Sequence, residues 1–145
     1  MRIAVLNGAN WNVLGQRDPE DYGHDSLGEI ESMVREAARA QGAEIEWLQT
    51  NHEGALVDAV QGLRGRVNGA LINAAALTHS SLALRDALLA VRTPFVELHL
   101  SNIFAREPER RHSMIADLAV GVVTGFGAQS YLLALQGLVG RLRDG

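Results

Sequence analysis

Apolar positions along this chain follow two rhythms that alternate from end to end. Residues 2–6, an arginine followed by the apolar run Ile3-Ala-Val-Leu6, read as a short buried strand. Ser26-Leu-Gly-Glu29 then matches a capping box. Leu27, Ile30, Val34, Ala37 and Ala38 repeat at helical spacing behind it, and Gly42 closes that helix. Residues 44–48 read as a second strand, and Leu56, Val60 and Leu63 mark a second helix ending near Gly65. A third strand ends at about Asn73. Ser80 or Ser81 caps a third helix with Leu84, Ala87, Leu88 and Val91 on its apolar face. Residues 94–98 and 119–124 supply strands four and five, and 128–143 the closing helix. Five strands separated by helices predict one α/β domain over residues 1–145. Its sheet is parallel and covered on both faces. Right-handed crossovers give a flavodoxin-like three-layer sandwich with strand order 2-1-3-4-5.

The connection after strand one breaks this economy. Strand-to-helix loops normally take a few residues, yet this one runs from Asn7 to about Asp25. It holds Asn7, Asn10, Asn12, Arg17 and Tyr22, with glycines at 8, 15 and 23. Two more polar clusters follow strands: Asn73 with Thr78-His79-Ser80-Ser81, and His99-Leu-Ser-Asn102 with Arg106, Arg110 and Arg111. In open parallel α/β sheets, ligands bind beyond the carboxyl ends of the strands. All three clusters lie where that rule puts a site.

Those segments together resemble the type II 3-dehydroquinate dehydratases. NGANWNVLGQRDPEDYG is similar to that family's NGPNLNxLGxRxPxxYG signature. LINAAALTHSSLALRDAL and VELHLSNIFAREPERRHS resemble its two later segments, in the same order and with similar spacing. Ala9 replaces the usual proline, Trp11 the usual leucine, and Ala74 a common proline or other small residue. Glu109 replaces an aromatic, and Met114 stands where tyrosine is frequent. These departures touch packing and loop stiffness; every polar residue assigned to chemistry is kept.

Composition narrows the field further. A net charge of −4 carries no general nucleic-acid or membrane footprint. Local arginines can still serve a small anion. Zero cysteines exclude disulfides, thiol catalysis and cysteine-ligated zinc, and fit the cytoplasm. The first residues enter a core strand without a signal-peptide pattern. Histidines are scattered with no metal-ligand spacing, so no metal site is indicated. All thirteen basic residues other than histidine are arginine, so an imine mechanism through lysine is excluded.

The resemblance implies removal of water from 3-dehydroquinate through an enolate, with no cofactor, because the ketone already acidifies the adjacent proton. Alone, Tyr22 reads as a packing lid and Arg17 as a surface charge. The resemblance makes Tyr22 the base and Arg17 its cation. A free phenol titrates near pH 10, so a tyrosine base needs such a neighbour. Asn10, otherwise an Asx-turn residue, becomes the enolate partner. His99, otherwise a satisfied strand-end histidine, becomes the general acid. Glu97 lies two residues earlier on the same side of the strand and can orient it and hold it protonated. Asn73, His79 and Arg110 match the family's hydroxyl binders. Backbone N–H groups at Leu100 and Ser101 suit the carboxylate. Arg106 matches a rim arginine, Arg111 reads as a surface charge, and His24, His52 and His112 read as surface or structural.

One helix face remains. Leu82, Asp86 and Leu89 share a stripe off the core face of the third helix. Periodicity alone fits a solvated face or a subunit contact equally. The resemblance implies the contact: a homododecamer of trimers in which Asp86 enters a neighbour's site. Other flavodoxin-like proteins fit less well. A receiver domain wants aspartate where Asn73 stands, and a flavodoxin wants a phosphate loop where Trp11, Val13 and Leu14 stand. A catalytically silent relative would not need Asn10, Arg17, Tyr22 and His99.

Overall fold

The computed structural model describes all 145 residues. Its strands are β1 (Arg2–Asn7), β2 (Glu44–Gln49), β3 (Gly69–Asn73), β4 (Phe95–His99) and β5 (Gly121–Thr124). They form one parallel sheet in the order 2-1-3-4-5, the flavodoxin-like arrangement expected from the alternating pattern. The helices are α1 (Pro19–Tyr22), α2 (Leu27–Ala40), α3 (Glu53–Gln61), α4 (Leu82–Val91) and α5 (Gln129–Asp144).

Alternation along the strands feeds two cores. Ile3, Val5, Leu71, Val96 and Leu98 face α2 and α5, where they meet Ile30, Val34, Leu135 and Leu138. Ala4, Leu6, Ala70, Ile72 and Phe95 face α3 and α4, against Leu56, Val60, Leu84 and Leu88. Every residue of β3 and β4 is buried, as a sheet covered on both faces demands. Truncating central Leu71 to alanine would cost about 2–5 kcal/mol.

Capping follows the sequence with local changes. Ser26 Oγ accepts from the Glu29 N–H at 3.2 Å and donates to Glu29 Oε1 at 3.0 Å, so the glutamate grips the cap hydroxyl itself. Ser81, and not Ser80, caps α4 by accepting from the Leu84 N–H. Gly42 takes φ 75° at the close of α2. Ladder pairing in β5 starts only at Gly121, opposite Val96, so the strand is shorter than its apolar run.

The long first connection is ordered. A 3-10 stretch, Trp11–Gln16, leads into the single turn of α1. Asp18 caps that turn by accepting from the Glu20 N–H, Pro19 opens it, and Gly23 stops it. Gly8 starts the loop against the backbone of Ala74, where a side chain would collide with the Ala74 carbonyl. Its N–H donates to the Asn73 carbonyl at 2.8 Å. The start of the loop is thereby pinned beside the end of β3.

Candidate active site

A narrow cleft opens at the carboxyl ends of β1, β3 and β4, where ligands bind in open parallel sheets. Asn10, Arg17, Tyr22, Asn73, His79, His99, Leu100, Ser101 and Arg110 all line it. Residues separated by up to 100 positions thus converge where the three polar clusters pointed. Trp11 and Arg106 join them. Asp86 does not: it lies exposed on α4 between exposed Leu82 and Leu89.

The sheet side of the cleft is buried and tightly bonded. His99 Nε2 donates to Glu97 Oε2 at 2.6 Å, and both residues are nearly inaccessible. The other carboxylate oxygen, Oε1, accepts from Ser113 Oγ at 2.6 Å. Ser113 in turn accepts from the N–H groups of Ile115 and Ala116. The carboxylate is held from both sides and fixes the imidazole plane. With Nε2 committed, Nδ1 is the His99 nitrogen left for a ligand.

His79 stands beside it, its ring nearly parallel to that of His99 at 6.3 Å. Here the sequence reading missed a partner. His79 Nδ1 donates to the His112 carbonyl at 2.6 Å, and His112 Nε2 donates to the His79 carbonyl at 2.8 Å. A carbonyl only accepts, so this exchange fixes the His79 tautomer and leaves Nε2 as an acceptor. Burial lowers the His79 pKa, against the opposing pull of the His112 carbonyl, and the charges of His99, His112 and Arg110 lower it further. His112 is therefore structural, with a direct hold on a cleft residue.

The loop side is built from stacking and longer bonds. Asn10 sits in the left-handed region at φ 71°, which asparagine tolerates, and its N–H donates to Asn51 Oδ1 at 2.9 Å. The buried Trp11 meets Tyr22 edge-on at 5.6 Å. Arg17 lies over the Tyr22 ring at 3.8 Å and 5.1 Å from the Trp11 ring. The phenol oxygen belongs to another arginine. Both terminal nitrogens of Arg106 lie 3.4 Å from Tyr22 Oη, and Nη1 also donates to Ser101 Oγ at 3.1 Å. Sequence reading gave the phenol's cation to Arg17; the structure places Arg17 on the ring face and Arg106 on the oxygen. Although burial opposes the charge on Arg106, its bond and Coulomb attraction to Tyr22, with Asp21 and Glu107, raise its pKa overall. Arg110 pairs with Glu107 at 2.8 Å on the rim. Arg111 is exposed and donates to the Arg106 carbonyl at 2.5 Å.

Three arginines and two histidines around one cleft, in a chain of net charge −4, suit a small anionic ligand. The family model Dehydroquinase class II matches residues 1–139. The chain belongs to this family. A 3-dehydroquinate dehydratase of Parasynechococcus marenigrum (strain WH8102) is 57% identical over 144 residues, 99% of each chain. A catabolic 3-dehydroquinase of Penicillium rubens is 51% identical over 134 residues, covering 92% of this chain and 86% of that one. The crystal structure of type II dehydroquinase from Butyrivibrio crossotus superposes with a TM-score of 0.92 at 36% identity, covering 95% of this chain and 97% of that one.

Proposed function

We propose that this chain is a type II hydro-lyase that converts 3-dehydroquinate to 3-dehydroshikimate without metal or cofactor. The observation that carries this reading is one cleft holding a phenol in contact with two guanidinium groups and, across from it, a carboxylate-backed imidazole.

Tyr22 removes the proton from the carbon beside the ketone. Arg106 stabilises the phenolate at its oxygen, and Arg17 stabilises it from the ring face. The electron pair moves onto the ketone oxygen, giving an enolate that Asn10 holds directly or through water. The enolate then collapses and expels the β-hydroxyl. His99 delivers a proton from Nδ1 to that group, so it leaves as water, and Glu97 steadies the ring through the transfer. Asn73, His79 and Arg110 take the ring hydroxyls. Leu100 and Ser101 present backbone N–H groups to the carboxylate. The same reading assigns a homododecamer built from trimers, with Asp86 completing a neighbouring protomer's cleft, and a cytoplasmic location. It extends to both biosynthetic and catabolic settings, since the dehydration step is common to them and one relative is named catabolic.

Adding 3-dehydroquinate and following absorbance of the conjugated enone tests the reading. Formation of the enone in the presence of EDTA is expected. No enone, or activity lost to EDTA and restored by a divalent metal, would overturn it.

A further inference from the structure

Behind the cleft, three buried polar side chains form a single file of hydrogen bonds. Asn7 and Asn73 face each other across the β1–β3 pairing, and Tyr131, in the first turn of α5, bridges them. All three are fully buried. Asn7 Nδ2 donates to the Leu48 carbonyl at 3.1 Å. Tyr131 Oη donates to Asn7 Oδ1 at 2.5 Å. Asn73 Nδ2 donates to Tyr131 Oη at 2.9 Å.

The direction of this file is dictated at one end. The Leu48 carbonyl can only accept, so Asn7 must turn its nitrogen toward it. The oxygen of Asn7 then faces the phenol and takes its one proton. With that proton spent, Tyr131 can only accept from Asn73, which must present nitrogen to it. Asn73 is left with its oxygen, Oδ1, which is buried and has no partner in the protein. Asn73 also lines the cleft. A buried acceptor without a donor is unfavourable until something supplies one. Burial raises the Tyr131 pKa against the opposing pull of Asn73, so the phenol keeps its proton at any working pH. Trp47 stacks on the Tyr131 ring at 5.8 Å and holds its plane.

We propose that Tyr131 and Asn7 are positioning residues that lock the Asn73 carboxamide with its oxygen available to the cleft, so that Asn73 accepts from a ligand hydroxyl. The proposal deepens the reading of the ligand as a hydroxylated ring acid, and rests on it for the ligand's identity. His79 Nε2, fixed as an acceptor by His112, extends the same polarity along the wall. The cleft then selects ring acids that bring hydroxyl donors.

Two readouts test it. First, quinate and cyclohexanecarboxylate are titrated into wild type, Tyr131→Phe and Asn7→Ala. Wild type should prefer quinate. In Tyr131→Phe the preference should shrink by about tenfold, the worth of one well-placed hydrogen bond. Asn7→Ala should do the same with the phenol intact, because the freed O–H can turn toward Asn73 Oδ1 and flip the amide. Cyclohexanecarboxylate affinity should not move, which separates lost orientation from a damaged fold. Unchanged preference in both variants would overturn the proposal. Second, in wild type labelled with carbon-13 and nitrogen-15, quinate should shift the Asn73 side-chain carbonyl carbon and leave its amide nitrogen unmoved. A response at the nitrogen instead would overturn the proposal even if neither variant folds. If quinate fails to bind wild type, enone formation from 3-dehydroquinate decides the functional reading separately. The file itself is then judged by a slowly exchanging Tyr131 hydroxyl proton with cross-peaks to the Asn73 amide; its absence would overturn it too.

Discussion

The two walls of the cleft are built on different principles. The sheet wall places Asn73 and His99 at the ends of β3 and β4 and Glu97 two residues behind His99, all buried, with bonds of 2.5–2.9 Å running through Ser113 and Tyr131. The loop wall places Asn10, Arg17 and Tyr22 on a segment that is half open to solvent, held by stacked rings and 3.4 Å contacts. A ladder of buried bonds fixes orientation before any ligand arrives. A stacked, charged loop can tighten on a ligand and release product. Under the proposed function this divides the labour, with specificity on the sheet wall and the proton-abstracting step on the loop wall.

The largest break in this comparison comes at the base. Tyr22→Phe keeps the ring that packs on Trp11 and Arg17 and removes only the oxygen that Arg106 touches. Turnover should fall by about 10²–10⁴-fold, the usual worth of a positioned general base. Near-normal kcat in a folded variant would remove Tyr22 from the chemistry. Next comes the carboxylate behind the acid. Glu97→Gln keeps the shape and loses the charge that accepts from His99 and Ser113, so kcat/KM should drop by about 10–100-fold. Ser113→Ala removes one neutral bond from the same carboxylate and should cost tenfold or less. If Ser113→Ala costs as much as Glu97→Gln, the two-sided grip is not the source of the effect.

Arg17→Lys sharpens the loop side. The Arg17 guanidinium carbon lies 3.8 Å from the Tyr22 ring centroid, close enough for a planar cation to stack, whereas an ammonium cannot stack. Loss of that contact should lower kcat by at least about tenfold. A wild-type rate would leave Arg106 as the sole cation that matters to the phenol.

Legibility in the sequence divides along the same line. Strand ends were readable because buried parallel strands are continuous apolar runs, and polar residues at their ends have nowhere else to be useful. That placed Asn73 and His99 without any structure, and Glu97 followed from its two-residue spacing to His99 on the same side of the strand. Family resemblance then named Asn10, Arg17, Tyr22, His79 and Arg110 on the cleft, where the geometry assembles them. What stayed hidden depends on contacts across long sequence separation. Tyr131 reads as one more large residue on the stripe of α5, and nothing local marks its hydroxyl. His112 looks like a scattered histidine until β3's loop folds over it. The exchange between Arg17 and Arg106 is invisible for the same reason: spacing shows which cations are near a loop, not which atom each one touches. The turn of α1 was present as Asp18, Pro19 and Gly23, but four residues are too few to show a period.

The smallest expected effect concerns pH and the acceptor face of the sheet wall. His79 has its pKa lowered below 6.5, chiefly by burial, so the folded protein favours the neutral ring. The neutral form's advantage is complete above the unfolded value and is lost as pH falls through the folded one. Acid therefore weakens the fold and also adds a proton at Nε2, the nitrogen that the His112 carbonyl leaves free. A ligand hydroxyl would then lose its acceptor. Between pH 7.5 and 5.5, quinate affinity should fall by about threefold to tenfold, one neutral hydrogen bond's worth. His79→Asn offers an acceptor that does not titrate, so its affinity should change less over that interval. The comparison isolates His79 from every other titrating group in the cleft, because those are shared by both proteins. Parallel pH profiles for wild type and His79→Asn would mean that His79 does not present a bare nitrogen to the ligand, and the polarity assigned to the sheet wall would rest on Asn73 alone.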